Sequence, residues 1–121
     1  MSGKLKSWAT NATYSADAAQ ISEDLTALRN GLKERQLLPL RTECEGFADD
    51  VEALYSELPT PDLSITNELG TSLSNYYTAA RDCFDASSFT SANFKTYERL
   101  MTSSDKTYQR AVEQLAAYGV H

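Results

Sequence analysis

Two prolines one residue apart, in Leu58-Pro59-Thr60-Pro61-Asp62, constrain this chain more than any other stretch. Each lacks an N–H donor and pushes the preceding residue towards extended geometry, so no helix runs through this point. On both sides the apolar residues recur at alternating spacings of four and three. Before the corner they are Leu40, Cys44, Phe47, Val51, Leu54 and Leu58; after it they are Leu69, Leu73, Tyr76, Ala80 and Cys83, with Thr66 in register. Such spacing gathers each set onto one face of a helix. The corner therefore joins two amphipathic helices, each with one cysteine on its apolar stripe.

The same periodicity extends to both ends of the chain. Tyr14, Ala18, Ile21, Leu25, Leu28 and Leu32 form a stripe in a first helix over residues 5–34, whose first dozen residues pattern weakly and are expected to fray or bend away. Pro39 suits the first turn of a second helix over 39–58. Asp62 is placed to cap a third over 63–84, and Ser88, Thr90 or Ser91 to cap a fourth over 90–118. Phe94, Tyr97, Met101, Ser104, Tyr108, Ala111, Leu115 and Tyr118 stripe that last helix, and Gly119 is a natural stop. Short connections predict one all-α domain over residues 1–121, an antiparallel up-down-up-down four-helix bundle; the alternative is a three-helix bundle with a loose N-terminal helix.

Charge and pattern exclude several classes of function. A net charge of −6 argues against binding by phosphate neutralisation, which needs a clustered basic surface, so nucleic acid is not an expected partner. No apolar run reaches membrane length, and none has the form of a signal peptide, so export would require a targeting segment removed or outside this sequence. The single histidine, His121, is the last residue, which argues against Ser-His or Cys-His catalysis. There is no Glu-x-x-His pair for a di-iron bundle site, no four-ligand zinc set and no glycine-rich phosphate loop. The expectation is a chain that is not an enzyme and has no cofactor and no catalytic or metal-binding residues.

What remains is surface and interior. From Thr42 to Ala80 there are eight acidic residues and no lysine or arginine. Glu45, Asp49 and Glu52 fall on the outer face of the second helix, whereas Lys95, Arg99, Lys106 and Arg110 fall on that of the fourth. Together these seven form a candidate partner surface, which also allows weak self-association of copies. Tyrosines on core stripes need a partner or water for each hydroxyl, so Tyr76, Tyr97 and Tyr108 are candidates for a partly polar pocket between helices.

Counting from the corner tests whether Cys44 and Cys83 can bond. Cys44 lies thirteen residues before Glu57 and Cys83 twenty after Leu63, a height difference of roughly 10 Å at about 1.5 Å per residue. A disulfide needs Cα atoms about 4.4–6.8 Å apart. An extended Leu58–Asp62 link of about 16 Å could make up the difference, so a Cys44–Cys83 bridge is expected, with two free buried thiols as the alternative.

Leu40-x-x-x-Cys44, Leu54-x-x-x-Leu58-Pro59-x-Pro61-Asp62 and Leu69-x-x-x-Leu73-x-x-Tyr76-x-x-Ala79-Ala80-x-x-Cys83 resemble uncharacterised small helical domains of actinobacteria, commonly exported or membrane-anchored, over residues 38–84. The resemblance implies a disulfide and an extracytoplasmic or secreted setting, and no activity. Three functional expectations follow: a module for protein–protein contact outside the cytoplasm, a binding protein for a small apolar or amphipathic ligand in the bundle interior, or an acidic intracellular adaptor or inhibitor. The last would place the chain in the cytoplasm with its cysteines reduced.

Overall fold

The computed structural model describes residues 1–121 and contains five helices and no strand: α1 (Ser2–Asn11), α2 (Tyr14–Glu34), α3 (Leu37–Tyr55), α4 (Leu63–Asp85) and α5 (Ala92–Ala117). Local chemistry accounts for several of the boundaries. Asp62 caps α4, its Oδ1 accepting from the Ile65 N–H at 2.9 Å, and Ser91 caps α5, its Oγ accepting from the Phe94 N–H at 3.2 Å. Each satisfies a donor that a helix start leaves free, and the Asp62 charge also suits the helix dipole. At the end of α5, Gly119 turns left-handed (φ 81°), and Val120 N–H donates back to the Leu115 carbonyl at 3.0 Å.

The single first helix expected over 5–34 is instead two. The chain breaks at Ala12–Thr13, where Thr13 adopts φ 52°. The expectation of a fraying start is also overturned. Leu5 is fully buried and the Trp8 indole N–H donates to the Glu57 carbonyl at 2.8 Å, pinning α1 beside the proline corner. The break turns Leu5 and Ala12 inward, which one straight helix with a drifting apolar face would not do. The loose-first-helix alternative fails for α2 as well, since Tyr14, Ile21 and Leu28 are all buried.

Consecutive helices pack on one another, and named contacts set their direction. Asp17 lies near Glu57, Asp24 meets Asp50, and Glu43 reaches Gly31, so α3 runs back along α2. Phe47 and Tyr76 pack edge to face at 5.2 Å between centroids, and Arg41 Nε donates to the Phe84 carbonyl at 2.6 Å, so α4 runs back along α3. Tyr76 stacks edge-on to Tyr108 at 5.6 Å, and Gln114 donates to Glu68 at 3.3 Å, so α5 reverses again.

Every core position expected on α3 from Leu40 to Leu54 is buried, as are Leu69, Leu73, Tyr76, Ala80 and Cys83 on α4. On α5 the stripe holds through Leu115 apart from a partly exposed Met101. Tyr118 departs from it, lying beyond the helix end and 37 % exposed.

Cys44 and Cys83 are joined, with Cα atoms 6.2 Å apart. The height mismatch is resolved by the link, which begins earlier than expected because α3 ends at Tyr55. Residues 56–62 climb beside the first turns of α4. There the Thr60 N–H donates to Thr66 Oγ1 at 2.9 Å, and Leu58 lies over Gly70, where an added Cβ would make an ordinary contact of 3.4 Å with its Cδ1. The first two turns of α4 thus extend past the end of α3, and the cysteines meet level.

Candidate functional site

Helices α2 and α3, α3 and α4, and α4 and α5 pack closely, whereas α2 and α5 make little direct contact. α2 turns Ile21 and Leu28 into the core, leaving Ser15, Ala18, Ala19 and Ser22 on the side towards α5. These short side chains cannot bridge to Tyr108, Gln109, Val112 and Ala116, so a groove of about 580 Å³ opens between the two helices. A narrower continuation of about 180 Å³ runs on between Leu25, Leu28 and Leu32 of α2 and Tyr97, Met101 and Thr102 of α5.

Tyr76 forms the floor from α4, fully buried, with Tyr108 beside it. The Tyr76 hydroxyl donates to Asp105 Oδ1 on the α5 rim. Burial first, then the Asp105 carboxylate, pushes the Tyr76 hydroxyl far above its ordinary value, while Arg29 across the groove opposes that shift. Burial likewise raises Tyr97 and Tyr108, and all three stay protonated as donors at physiological pH. Arg29 and Asp105 line both sections of the groove without forming an ion pair with each other. The site is therefore an apolar trough with a polar waist, offering one cation, one anion and tyrosine hydroxyls.

Tyr76, Tyr97 and Tyr108 do line one continuous feature, but it is an open seam at the surface and not a cavity in the bundle interior. The residues that sequence reasoning missed are Arg29, Asp105 and the small residues of α2. Ser15, Ala18, Ala19 and Ser22 lie on one side of α2, and of these only Ala18 stands on the stripe expected to be buried. His121 also reaches the groove and makes no hydrogen bond within the chain.

The charged stripes are placed as follows. Glu45, Asp49 and Glu52 are exposed on α3, and Lys95, Arg99, Lys106 and Arg110 are exposed on α5. No residue of one stripe pairs with the other. The single ion pair in the molecule joins Arg110 to Glu68 of α4 at 3.7 Å. The basic stripe adjoins the groove, since Thr102 borders both the narrow section and the hollow between Arg99, Lys106 and Arg110. A separate shallow hollow of about 360 Å³ lies between α3 and α4, flanked by the exposed rings of Tyr55 and Tyr77 beside Glu52.

No group of three or more histidine, cysteine or carboxylate side chains is placed to hold a metal ion, and no helix is long and apolar enough to cross a membrane. No protein-family model, curated protein or solved structure matches the chain.

Proposed function

We propose that the protein is a non-enzymatic helical-bundle module for protein–protein contact, and that its contact site is the α2–α5 groove, occupied by an amphipathic helix of the partner. In this reading α2 to α5 are an antiparallel up-down-up-down four-helix bundle, α1 is an addition at one end, and the partner helix lies along the seam that α2 and α5 leave open. The supporting observation is the apolar trough floored by Tyr76 and Tyr108, with a polar waist at Arg29 and Asp105. Grooves of this kind take helices through apolar positions three and four residues apart. The stripe from Lys95 to Arg110 beside the groove asks for acidic residues on the partner's near edge. The Cys44–Cys83 disulfide favours an oxidising, extracytoplasmic setting, which is the setting that the resemblance to exported helical domains of actinobacteria implies.

A photocrosslinker at Gln109 on the groove wall, compared with one at exposed Thr78 on α4, tests this in the native host. Crosslinks from Gln109 to an acidic-edged amphipathic helix, lost when Ala19→Trp fills the trough, support the reading. Identical crosslinks from both positions, or none that Ala19→Trp removes, overturn it.

The groove's main section also falls in the size range of small-molecule sites, roughly 300–1,000 Å³. A small amphipathic ligand is therefore the second reading. A bound mass of a few hundred daltons in native mass spectra, displaced by Ala19→Trp and accompanied by no protein crosslink, would replace the first reading with this one.

A further inference from the structure

Helix α2 is held to the bundle chiefly through α3, because its other long seam is the groove. The α2–α3 seam is lined with like charges at seven-residue intervals. Asp17 lies near Glu57 and Asp50, Asp24 meets Asp50, and one heptad further Gly31 leaves a notch that the Glu43 carboxyl enters. A Cβ on residue 31 would stand 2.8 Å from Glu43 Oε2, so a side chain there would push the flexible end of Glu43 out of the notch.

Two of these carboxyls each leave one buried oxygen without a donor. Glu43 Oε2 and Asp24 Oδ2 are buried without a hydrogen-bond partner, while Asp24 Oδ1 accepts from the Gln20 amide at 3.1 Å. The charged groups facing Asp24 are Asp50 on α3 and Glu23 on its own helix. Those facing Asp17 are Glu57 and Asp50, and Glu34 of α2 faces Glu43. No lysine or arginine contributes at any of these places. Two carboxylates within hydrogen-bonding reach repel unless one proton sits between them.

We infer that the α2–α3 seam is a proton-operated latch, closed while Asp24 and Asp50 share a proton and loosened when it leaves, so that α2 separates from the disulfide-joined α3–α4 pair as pH rises. Burial first, then the Asp50 carboxyl, raises Asp24 from the ordinary carboxylate range to about 7. Asp17 and Glu43 move the same way, each through burial first and neighbouring carboxylates second. A carboxyl whose value is raised in the closed state contributes stability that is complete at acid pH and lost as pH climbs through about 7. The latch thus acts near neutrality, and in the opposite sense to ordinary acid denaturation. It stands whatever occupies the groove, because it rests on the α2–α3 contacts alone.

Hydrogen exchange of backbone amides, corrected for intrinsic rates, tests it at about pH 6 and pH 8. A group titrating at about 7 would change the opening constant roughly tenfold over that range, and solvent access to Asp24 reduces this to several-fold. Amides of α2 should lose several-fold protection at the higher pH while those of α4 and α5 change little. Asp50→Asn keeps the size of the side chain and supplies a donor to Asp24, so α2 protection should become nearly independent of pH; Asp24→Asn should act alike. Equal wild-type protection of α2 at both pH values overturns the latch. So does a wild-type pH dependence that survives in either asparagine variant.

Discussion

Tyr76 on α4 gives its hydroxyl hydrogen to Asp105 on α5, tying the floor of the groove to its rim. Tyr76→Phe keeps the ring and its edge contacts to Phe47 and Tyr108 while deleting that bond. A bond to a charged acceptor is worth about 1.5–3 kcal/mol when buried. With Asp105 exposed, we expect a loss of about 1–2 kcal/mol in urea unfolding. Tyr76→Phe combined with Asp105→Ala should cost less than the two single changes added together, since both remove one interaction. Full additivity would show that the contact contributes nothing.

Leu54 and Val51 sit mid-stripe on α3 with no solvent exposure, whereas Asp49 is exposed on its outer face. Leu54→Ala should lower stability by about 2–4 kcal/mol, and Val51→Ala by somewhat less. Asp49→Ala should stay within about 0.5 kcal/mol. Denaturant titrations of the three variants check the assigned faces; a reversed order would contradict them.

The disulfide spans a sequence separation of 39 residues. On a chain-entropy argument, closing a loop of that size contributes about 4 kcal/mol by restricting the unfolded chain. Reduction should therefore lower the urea midpoint markedly. Protein unfolded without reductant should titrate no free thiol, and two after reduction; two thiols before reduction would remove the bond and the main argument for an oxidising compartment.

The acidic stripe on α3 and the basic stripe on α5 are both exposed and do not meet within the molecule. Copies should associate weakly at low ionic strength, α3 of one against α5 of another, and separate at about 0.5 M salt, where the screening length is only a few ångströms. Sedimentation velocity at two salt concentrations measures this. Lys106→Glu with Arg99→Glu should abolish it, and association indifferent to salt would point to the apolar groove instead.

Much of the helix content was legible in the residue pattern because burial imposes a period of 3.6 on any helix with one covered face. Leu40 to Leu54 and Leu69 to Cys83 show it without interruption, so α3 and α4 were placed within a few residues. The first segment misled. Leu5, Trp8 and Ala12 drift around a single helix axis, and only the turn at Thr13 returns them to the core. Of the groove, the three tyrosines were visible as polar groups on apolar stripes. Arg29 and Asp105 were not, because a charge at a helix flank has no sequence signature until its neighbour is known.

Local chemistry in the chain determined where α4 and α5 begin and where α3 must stop, since a cap such as Asp62 or a barrier such as Pro59-Thr60-Pro61 acts on the backbone within a few residues. It also determined which faces are apolar. Tertiary structure alone decided that α2 and α5 stand apart, that Asp24 meets Asp50, and that Cys44 and Cys83 come level. Each depends on the register between helices distant in sequence. That register follows from how residues 56–62 climb beside α4, and from the close fit of Glu43 against Gly31.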